Sequence, residues 1–157
     1  MSEIFKIPIL TEEGEELNLS AFQGKWLVLY VYPKDNTPGC TTEAKEFSAL
    51  LDEFRKLNAE VVGVSRDPPK SHRKFRERHG LKVILVSDPD AKLIKALGAW
   101  GIKKMYGKVR EGVIRSTFII SPSGEIVWSK TNVRAKGHAA KVLDILKSLV
   151  STGSTPE

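Results

Sequence analysis

Residues 26–44 read WLVLYVYPKDNTPGCTTEA. The first seven are apolar, β-branched or aromatic and too few for a good helix, so we predict a buried strand at Trp26–Tyr32 that ends at a proline. A helix is predicted next, with Thr37 as its N-cap and Pro38 as its first residue. Cys40 then lies in the first helical turn, where backbone N–H groups have no helical partner and the nucleophilic thiolate is stabilised.

Strand-like and helix-like segments alternate along the rest of the chain. Apolar residues at helical spacing predict a helix from about Pro38 to Leu57. The later predictions are a strand at Glu60–Ser65, a helix capped by Ser71 and ended by Gly80, a strand at Val83–Val86, a helix from Asp88 to Gly98, strands at Arg115–Ile120 and Glu125–Ser129, and a helix at Ala139–Val150. This alternation predicts an α/β fold with a central mixed sheet flanked by helices.

Three regions stand outside the alternation. Phe5–Leu10 and Glu16–Leu19 flank a glutamate-glycine turn and predict an N-terminal β-hairpin extension. Ala99–Gly112 has several glycines and charges but no clear period, which predicts a long functional loop. The length of 157 residues favours a single domain over residues 1–150, and the small polar residues 151–157 predict a disordered tail.

Composition excludes several classes of protein. The formal net charge is +6, but the basic run His72–Arg78 is interrupted by Glu77 and no nucleic-acid motif is present, so we expect no nucleic-acid partner. No apolar run has the length of a membrane span, and the first ten residues, with Glu3, Lys6 and Pro8, do not resemble a secretion signal. A single cysteine fits a reducing compartment, so we expect a cytoplasmic protein.

Two patterns suggest ligands but do not hold up. Gly101–Val109 resembles a phosphate-binding loop, yet its glycine spacing is one residue too long and Val109 stands where a magnesium-binding Ser or Thr is needed. His72, His79 and His138 lack a third ligand pattern, and we expect them to be surface residues rather than metal ligands. No metal and no cofactor is therefore expected.

The surroundings of the cysteine carry a specific resemblance. Glu43 occupies the position of the second cysteine of a Cys-x-x-Cys motif, which excludes dithiol exchange of the thioredoxin type. Pro33, Thr37 and Cys40 have the Pro-x-x-x-Thr-x-x-Cys spacing of the peroxiredoxins, and residues 32–44 closely resemble the bacterioferritin-comigratory, or Q-type, subgroup. Similar stretches recur at residues 100–108 and 114–118, and the resemblance implies a thioredoxin-like fold.

The resemblance also implies residue roles. Cys40 would be the nucleophile that attacks a peroxide, Thr37 and Pro33 would shape its pocket, and Arg115 would stabilise the thiolate and the departing oxygen. The Thr37 hydroxyl could donate to the peroxide or instead cap the helix, and Arg110 is a competitor for the arginine role. The implied activity is a thiol peroxidase that reduces hydrogen peroxide and organic hydroperoxides.

Glu43 lies one helical turn after Cys40, and an unpaired carboxylate there would oppose a thiolate. We therefore predict that it pairs with Arg115 and orients it. The alternative is an ordinary exposed glutamate in the first turn of the helix.

The chain departs from the Q-type pattern at Lys45, where many members carry a resolving cysteine. With no second cysteine, the sulfenic acid formed on Cys40 would have to be reduced by an external thiol: thioredoxin, glutaredoxin or a low-molecular-weight thiol. No internal disulfide then has to form, so we expect the first helix to stay folded during turnover. The protein is expected to be a monomer or weak homodimer. A peroxide-sensing relay without sustained turnover is the alternative, and both functions need an accessible thiolate.

Overall fold

Strand β3, Trp26–Val31, lies within a seven-stranded sheet in the computed structural model, which describes residues 3–151. Its side chains alternate between two cores on opposite faces, with Val28 and Tyr30 on one side and Leu27 and Leu29 on the other. All six residues are buried. An uninterrupted apolar run predicts this strand correctly because both faces of the sheet are covered.

The other elements surround β3. The strands are β1 Ile9–Leu10, β2 Glu16–Leu17, β4 Ala59–Ser65, β5 Ile84–Ser87, β6 Trp100–Met105, β7 Lys108–Val113, β8 Ser116–Ile120 and β9 Ile126–Thr131. The helices are α1 Pro38–Ala49, α2 Leu51–Lys56, α3 Pro69–His79, α4 Lys92–Ala96 and α5 His138–Ser151, with short 3₁₀ turns at Glu3–Phe5 and Leu19–Phe22. The sheet order is β2-β1-β5-β4-β3-β8-β9, and β6 and β7 form a separate hairpin.

The sheet is mixed, as predicted. Strands β3, β4 and β5 are parallel, whereas β8 and β9 are antiparallel additions on one side and the β1–β2 hairpin pairs with β5 on the other. The N-terminal hairpin is therefore present, but its strands are shorter than predicted because Phe5 belongs to a 3₁₀ turn.

Strand direction assembles the functional end of the sheet. Helix α1 begins beyond the carboxyl end of β3, and β8 runs in the opposite direction, with its first residue Ser116 opposite Val31. Arg115, which immediately precedes β8, therefore lies at the same edge of the sheet as the N-terminus of α1. Two segments distant in sequence meet there.

The prediction of one helix over Pro38–Leu57 is wrong. Leu50, with φ −99° and ψ 2°, ends α1 and precedes α2. No glycine or proline marks the break, so the apolar period continues through it. The hydroxyl of Ser48, near the end of α1, accepts a hydrogen bond from the Lys82 N–H at 3.0 Å.

Two predicted helix starts are also wrong. Helix α3 begins at Pro69, and Ser71 lies in its first turn with its hydroxyl bonded to Asp35 instead of capping. The left-handed Gly80 does end this helix, as predicted. Helix α4 begins at Lys92 because Asp88 lies in the preceding turn and its carboxylate accepts from a backbone N–H inside the helix.

The predicted loop at Ala99–Gly112 is in fact the β6–β7 hairpin. Tyr106 (φ 53°) and Gly107 (φ 77°) form its two-residue turn, and positive φ at both central positions is the geometry that two-residue hairpins favour. Strand β7 is largely exposed and carries charges on both faces, so no alternation of apolar and polar residues reveals it.

The C-terminal helix extends slightly further than predicted. It includes Ser151, and the rest of the predicted disordered tail lies outside the described residues. Among the helices at residues 3–151, none combines the length and apolar character that crossing a bilayer requires.

Candidate active site

Cys40 is the third residue of α1, as predicted, so its backbone N–H precedes the first helical hydrogen bond, from Thr41 N–H to the Thr37 carbonyl at 2.9 Å. Its side chain is buried and only 1% of the residue is exposed. Arg115 donates from Nη2 to the Cys40 Sγ at 3.3 Å. The sulfur therefore lies beside a permanent positive charge and near the positive end of a helix.

Arg115 reaches the sulfur across the backbone of Gly39. A Cβ atom on Gly39 would lie 3.1 Å from Arg115 Nη2, closer than ordinary contact. Burial lowers the pKa of Arg115, but the nearby Glu43 and Cys40 raise it by more, so the net shift is upward. The guanidinium is a fixed cation over the first turn of α1.

Glu43 holds the other side of this guanidinium. Its Oε1 accepts from Arg115 Nη1 at 2.6 Å, and its side chain is fully buried. The predicted ion pair is confirmed, and an exposed glutamate is excluded. Burial raises the pKa of Glu43 to about 7, even though the charge of Arg115 acts in the opposite direction. Within residues 3–151, no hydrogen-bond partner reaches Glu43 Oε2.

Thr37 occupies the N-cap position, but its side chain does not cap the helix. Its hydroxyl donates to the Lys34 carbonyl at 2.8 Å. That bond fixes the side chain and uses its proton, so the lone pairs of Oγ1 remain able to accept a hydrogen bond. The capping alternative is therefore wrong for this structure.

Arg115, the residue that contacts the cysteine sulfur, lines a cavity of about 560 Å³. Its walls come from the segment after β3, from the β6–β7 hairpin and from the end of β9. The lining residues are Pro33, Ile102, Lys103, Lys104, Ile114, Arg115, Thr131, Asn132 and Val133. We call it the reactive cavity, and Pro33 forms part of its wall.

Sequence reasoning misses two further residues near the sulfur. Lys103 lines the reactive cavity, and burial together with the charge of Arg115 lowers its pKa. Tyr30 is fully buried, stacks on Phe47 and has a hydroxyl without a partner in the described part of the chain. Burial raises the pKa of Tyr30, and Glu43 and Cys40 raise it further. The hairpin sequence could have indicated Lys103 only if it had been recognised as paired strands.

The expectation that all three histidines lie on the surface is wrong. His72 is fully buried and His138 is 6% exposed, while His79 is partly exposed. His138 Nε2 lies 2.7 Å from Thr117 Oγ1, and burial followed by the charge of Lys130 lowers the pKa of His138 to about 4.

His72 belongs to a buried group that we call the Asp35 cluster: Tyr32, Asp35, Ser71 and His72. Asp35 Oδ1 accepts from the Tyr32 hydroxyl at 2.6 Å, and its Oδ2 lies 2.7 Å from both the Ser71 hydroxyl and His72 Nδ1. His72 Nε2 donates to the Val86 carbonyl at 3.0 Å. The cluster fastens the segment after β3 to α3 and β5. No group of three or more potential metal ligands occurs within residues 3–151.

Comparison with known proteins agrees with this geometry. The chain belongs to the AhpC/TSA family, whose pattern it matches over residues 3–129, and is thus a peroxiredoxin, a member of a class of thiol peroxidases. Its relatives place it in the bacterioferritin-comigratory, or Q-type, subgroup.

The similarity covers most of each relative. A Helicobacter pylori (strain J99) protein named bcp is 53% identical over 134 residues, 85% of this chain and 88% of that protein. Peroxiredoxin Bcp of Xanthomonas campestris is 47% identical over 144 residues, 92% and 90% of the two chains. A solved structure of the X. campestris bacterioferritin comigratory protein, studied for its alkyl peroxide reduction activity, has a TM-score of 0.88, 46% identity and 94% coverage of both chains. The thioredoxin-like fold is confirmed.

Proposed function

We propose that the Cys40 thiolate reduces hydrogen peroxide and organic hydroperoxides and becomes a sulfenic acid in the reaction. The observation that carries this proposal is the 3.3 Å contact between Cys40 Sγ and Arg115 Nη2 at the N-terminus of α1. A positive charge at this position favours the nucleophilic thiolate and then the anion that leaves. The alkyl peroxide reduction activity of the X. campestris relative supports the same chemistry.

The reaction is a displacement at oxygen. Sγ attacks the terminal oxygen of the peroxide, an S–O bond forms, the O–O bond breaks, and an alkoxide or hydroxide leaves and takes a proton from water. Arg115 and the free N–H of Cys40 stabilise the charge that develops. Thr37 Oγ1 accepts a hydrogen bond from the peroxide O–H. Its lone pairs are available for this role because its own proton is donated to the Lys34 carbonyl. Pro33 closes one wall without offering an N–H to compete for the thiolate.

Glu43 orients Arg115 in this proposal. Its carboxylate holds Nη1, which leaves Nη2 to face the sulfur. Glu43 does not touch the reacting atoms, so it acts as a positioning residue. Its raised pKa, about 7, makes the strength of this hold depend on pH near neutrality.

Regeneration of Cys40 requires another molecule. The chain has no second cysteine, and Lys45 stands where a Q-type resolving cysteine would be. We therefore assign a single-cysteine mechanism in which an external thiol reduces the sulfenic acid in a reducing compartment, the cytoplasm. The volume of the reactive cavity, about 560 Å³, exceeds what hydrogen peroxide needs and supports organic hydroperoxides as substrates.

Rapid mixing of the reduced protein with one equivalent of peroxide tests the first step. We expect Cys40 to be oxidised far faster than free cysteine, and mass spectrometry after trapping should locate a sulfenic acid on Cys40. Cys40→Ser is the matched control and should consume no peroxide. A wild-type rate no faster than that of free cysteine would refute the proposal.

A peroxide-sensing relay is the second candidate, because it needs the same Cys40 sulfur beside Arg115. The two functions differ in turnover. A peroxidase consumes many equivalents of peroxide when thiols are added one kind at a time, whereas a relay consumes about one and then passes its oxidation to a specific protein thiol.

A further inference from the structure

A second cavity, of about 420 Å³, adjoins the reactive cavity and lies at the start of α5. Four cationic side chains line it: Lys130, Arg134, Lys136 and Lys141. The other lining residues are Asn132, Val133 and His138, so no carboxylate contributes to the lining within residues 3–151. We call this the basic cavity.

Within the described part of the chain, none of the four cations forms an ion pair, although the carboxylate of Glu46 lies close by, where it accepts a hydrogen bond from the Gly137 N–H at 2.9 Å. Across residues 3–151, none of them lies within 4.0 Å of a carboxylate, although five other ion pairs form elsewhere in the same part of the chain. Like charges held together repel one another, and an anion between them relieves that repulsion. Burial, and then the charges of Lys130, Arg115 and Lys141, lower the pKa of the nearby His138, in keeping with the positive lining of the cavity.

The two cavities are adjacent and share part of their walls. Asn132 and Val133 line both of them, and the Cβ of Ala135 would lie 3.8 Å from a Cβ built on Gly39, beside Cys40. A small molecule anchored in the basic cavity can therefore extend toward Arg115 and the sulfur. Lys103 and Lys104 continue the positive lining on the far side of the reactive cavity.

We infer that the basic cavity binds the carboxylates of a small anionic thiol, which is the external reductant of the Cys40 sulfenic acid. This inference rests on the proposed single-cysteine function. A small thiol fits because Cys40 is only 1% exposed, so a folded protein cannot bring its own sulfur to it without rearrangement. The positive surroundings also favour the thiolate of the incoming molecule, the form that attacks.

The chemistry balances with two molecules of thiol. The first thiol forms an S–S bond with Cys40 as the S–O bond of the sulfenic acid breaks, and the hydroxide that leaves takes the proton of the thiol to form water. The second thiol attacks the mixed disulfide, and Cys40 departs as a thiolate. One disulfide of the small thiol is the product, and the electrons come from the two thiols.

The second step is tested apart from the first. The sulfenic acid is prepared with one equivalent of hydrogen peroxide and mixed with 3-mercaptopropionate (anionic), 2-mercaptoethanol (neutral) or cysteamine (cationic), and its loss is followed by rapid quench. The double variant Lys136→Gln/Lys141→Gln removes two cations from the basic cavity. Lys74→Gln/Lys147→Gln removes two exposed cations outside both cavities and is the matched control.

For the cavity variant, we expect the rate of reduction by 3-mercaptopropionate to fall by about fivefold, since exposed charges contribute modestly. The rate with the neutral thiol should change little. The rate with the cationic thiol should stay the same or increase. The control should keep the wild-type order of thiols. In the wild type, raising the salt concentration from about 20 mM to about 0.5 M should remove most of the advantage of the anionic thiol. S-methylglutathione, which has the carboxylates but no thiol, should compete with it.

Equal slowing of all three thiols, or equal effects of the cavity and control variants, would overturn the inference. So would a cavity variant that changes only the oxidation of Cys40 by an anionic hydroperoxide, because the cavity would then serve the peroxide. The proposed function fails separately, if the wild-type protein is not rapidly oxidised by hydrogen peroxide in the first mixing.

Discussion

Two buried polar clusters lie at the same end of the sheet, and they differ in how fully their polar atoms are paired. In the Asp35 cluster, both carboxylate oxygens of Asp35 and both ring nitrogens of His72 have partners. Beside Cys40, Glu43 Oε2 has no partner in the described residues, and the cysteine sulfur receives one side-chain donor, from Arg115.

This difference separates structure from chemistry. A fully paired buried cluster stabilises one arrangement of the chain, and removing any member leaves the others buried and unsatisfied. A cluster with unused capacity can form new bonds to a substrate or a developing anion. We therefore expect substitutions in the Asp35 cluster to act mainly on stability, and those around Cys40 to act mainly on rate.

The largest effect should come from Arg115→Met. It removes the charge beside the sulfur but keeps a long apolar side chain, and we expect the rate of Cys40 oxidation by peroxide to fall about 10²- to 10³-fold. Stopped-flow measurement gives this rate. Arg110→Met is the control, because Arg110 is exposed on β7. An unaltered rate in Arg115→Met, or a large loss in Arg110→Met, would show that Arg115 is the wrong arginine.

His72→Ala tests the other cluster. It removes one of the three side-chain partners of the buried Asp35 carboxylate and leaves a cavity, and we expect the free energy of unfolding to fall by about 3 kcal/mol, measured by urea denaturation. Lys56→Ala breaks an exposed ion pair with Glu53 and should cost less than about 0.5 kcal/mol. If His72→Ala abolished peroxide oxidation at full stability, the division between the clusters would be wrong.

Glu43→Gln sharpens the comparison through pH. The pKa of Glu43 is raised from 4.5 to about 7 in the folded protein, so its stabilising contribution is complete below pH 4.5 and is lost as the pH rises through 7. The side chain at position 43 of the variant is uncharged at every pH. The free energy of unfolding of the variant should therefore rise, relative to that of the wild type, by on the order of 3 kcal/mol between pH 4.5 and pH 8. Denaturation at both pH values measures this gain.

The same variant should change the rate in a pH-dependent way. Because the carboxylate orients Arg115, we expect peroxide oxidation by Glu43→Gln to fall about tenfold below the wild-type rate at pH 8 and to approach it at pH 5, where wild-type Glu43 is protonated. A constant ratio of the two rates over this pH range would indicate that Glu43 is only structural.

The smallest expected effect concerns α1. With Lys45 in place of a resolving cysteine, no internal disulfide requires the helix to open, so hydrogen exchange over residues 38–47 should differ little between the reduced and sulfenic forms. Extensive opening after oxidation would contradict this expectation, and it would also give a protein reductant access to Cys40.

Burial explains which parts of the fold the sequence predicts. Strand β3 is apolar throughout and β4 is mostly apolar, because both of their faces are covered, and their positions are predicted to within one residue. The β6–β7 hairpin is missed because its exposed positions mix charged residues with the apolar Ile102 and Val109, so no alternation of apolar and polar residues marks its strands. The break at Leu50 is missed because nothing in its local sequence ends a helix.

The two polar clusters also differ in whether their pairings can be predicted from the sequence. The pairing of Glu43 with Arg115, 72 residues away, is predicted in two steps: a carboxylate next to a thiolate needs a counter-charge, and the family resemblance indicates which arginine supplies it. The pairing of Asp35 with His72 across 37 residues follows from no local pattern, since a basic helix gives no sign that one of its residues is buried. A charge that the chemistry of a site requires can be predicted from the sequence, whereas a contact that depends on tertiary packing often cannot.

The absence of a side chain at Gly39 sets how closely the Arg115 guanidinium approaches the first turn of α1. Since a methyl group there would approach Arg115 Nη2 to 3.1 Å, the guanidinium would have to retreat by a few tenths of an ångström. Gly39→Ala is therefore a graded change that moves the charge without removing it, in contrast to Arg115→Met. Substitutions at position 39 can therefore tune the reactivity of the neighbouring thiol through the distance between the guanidinium and the sulfur.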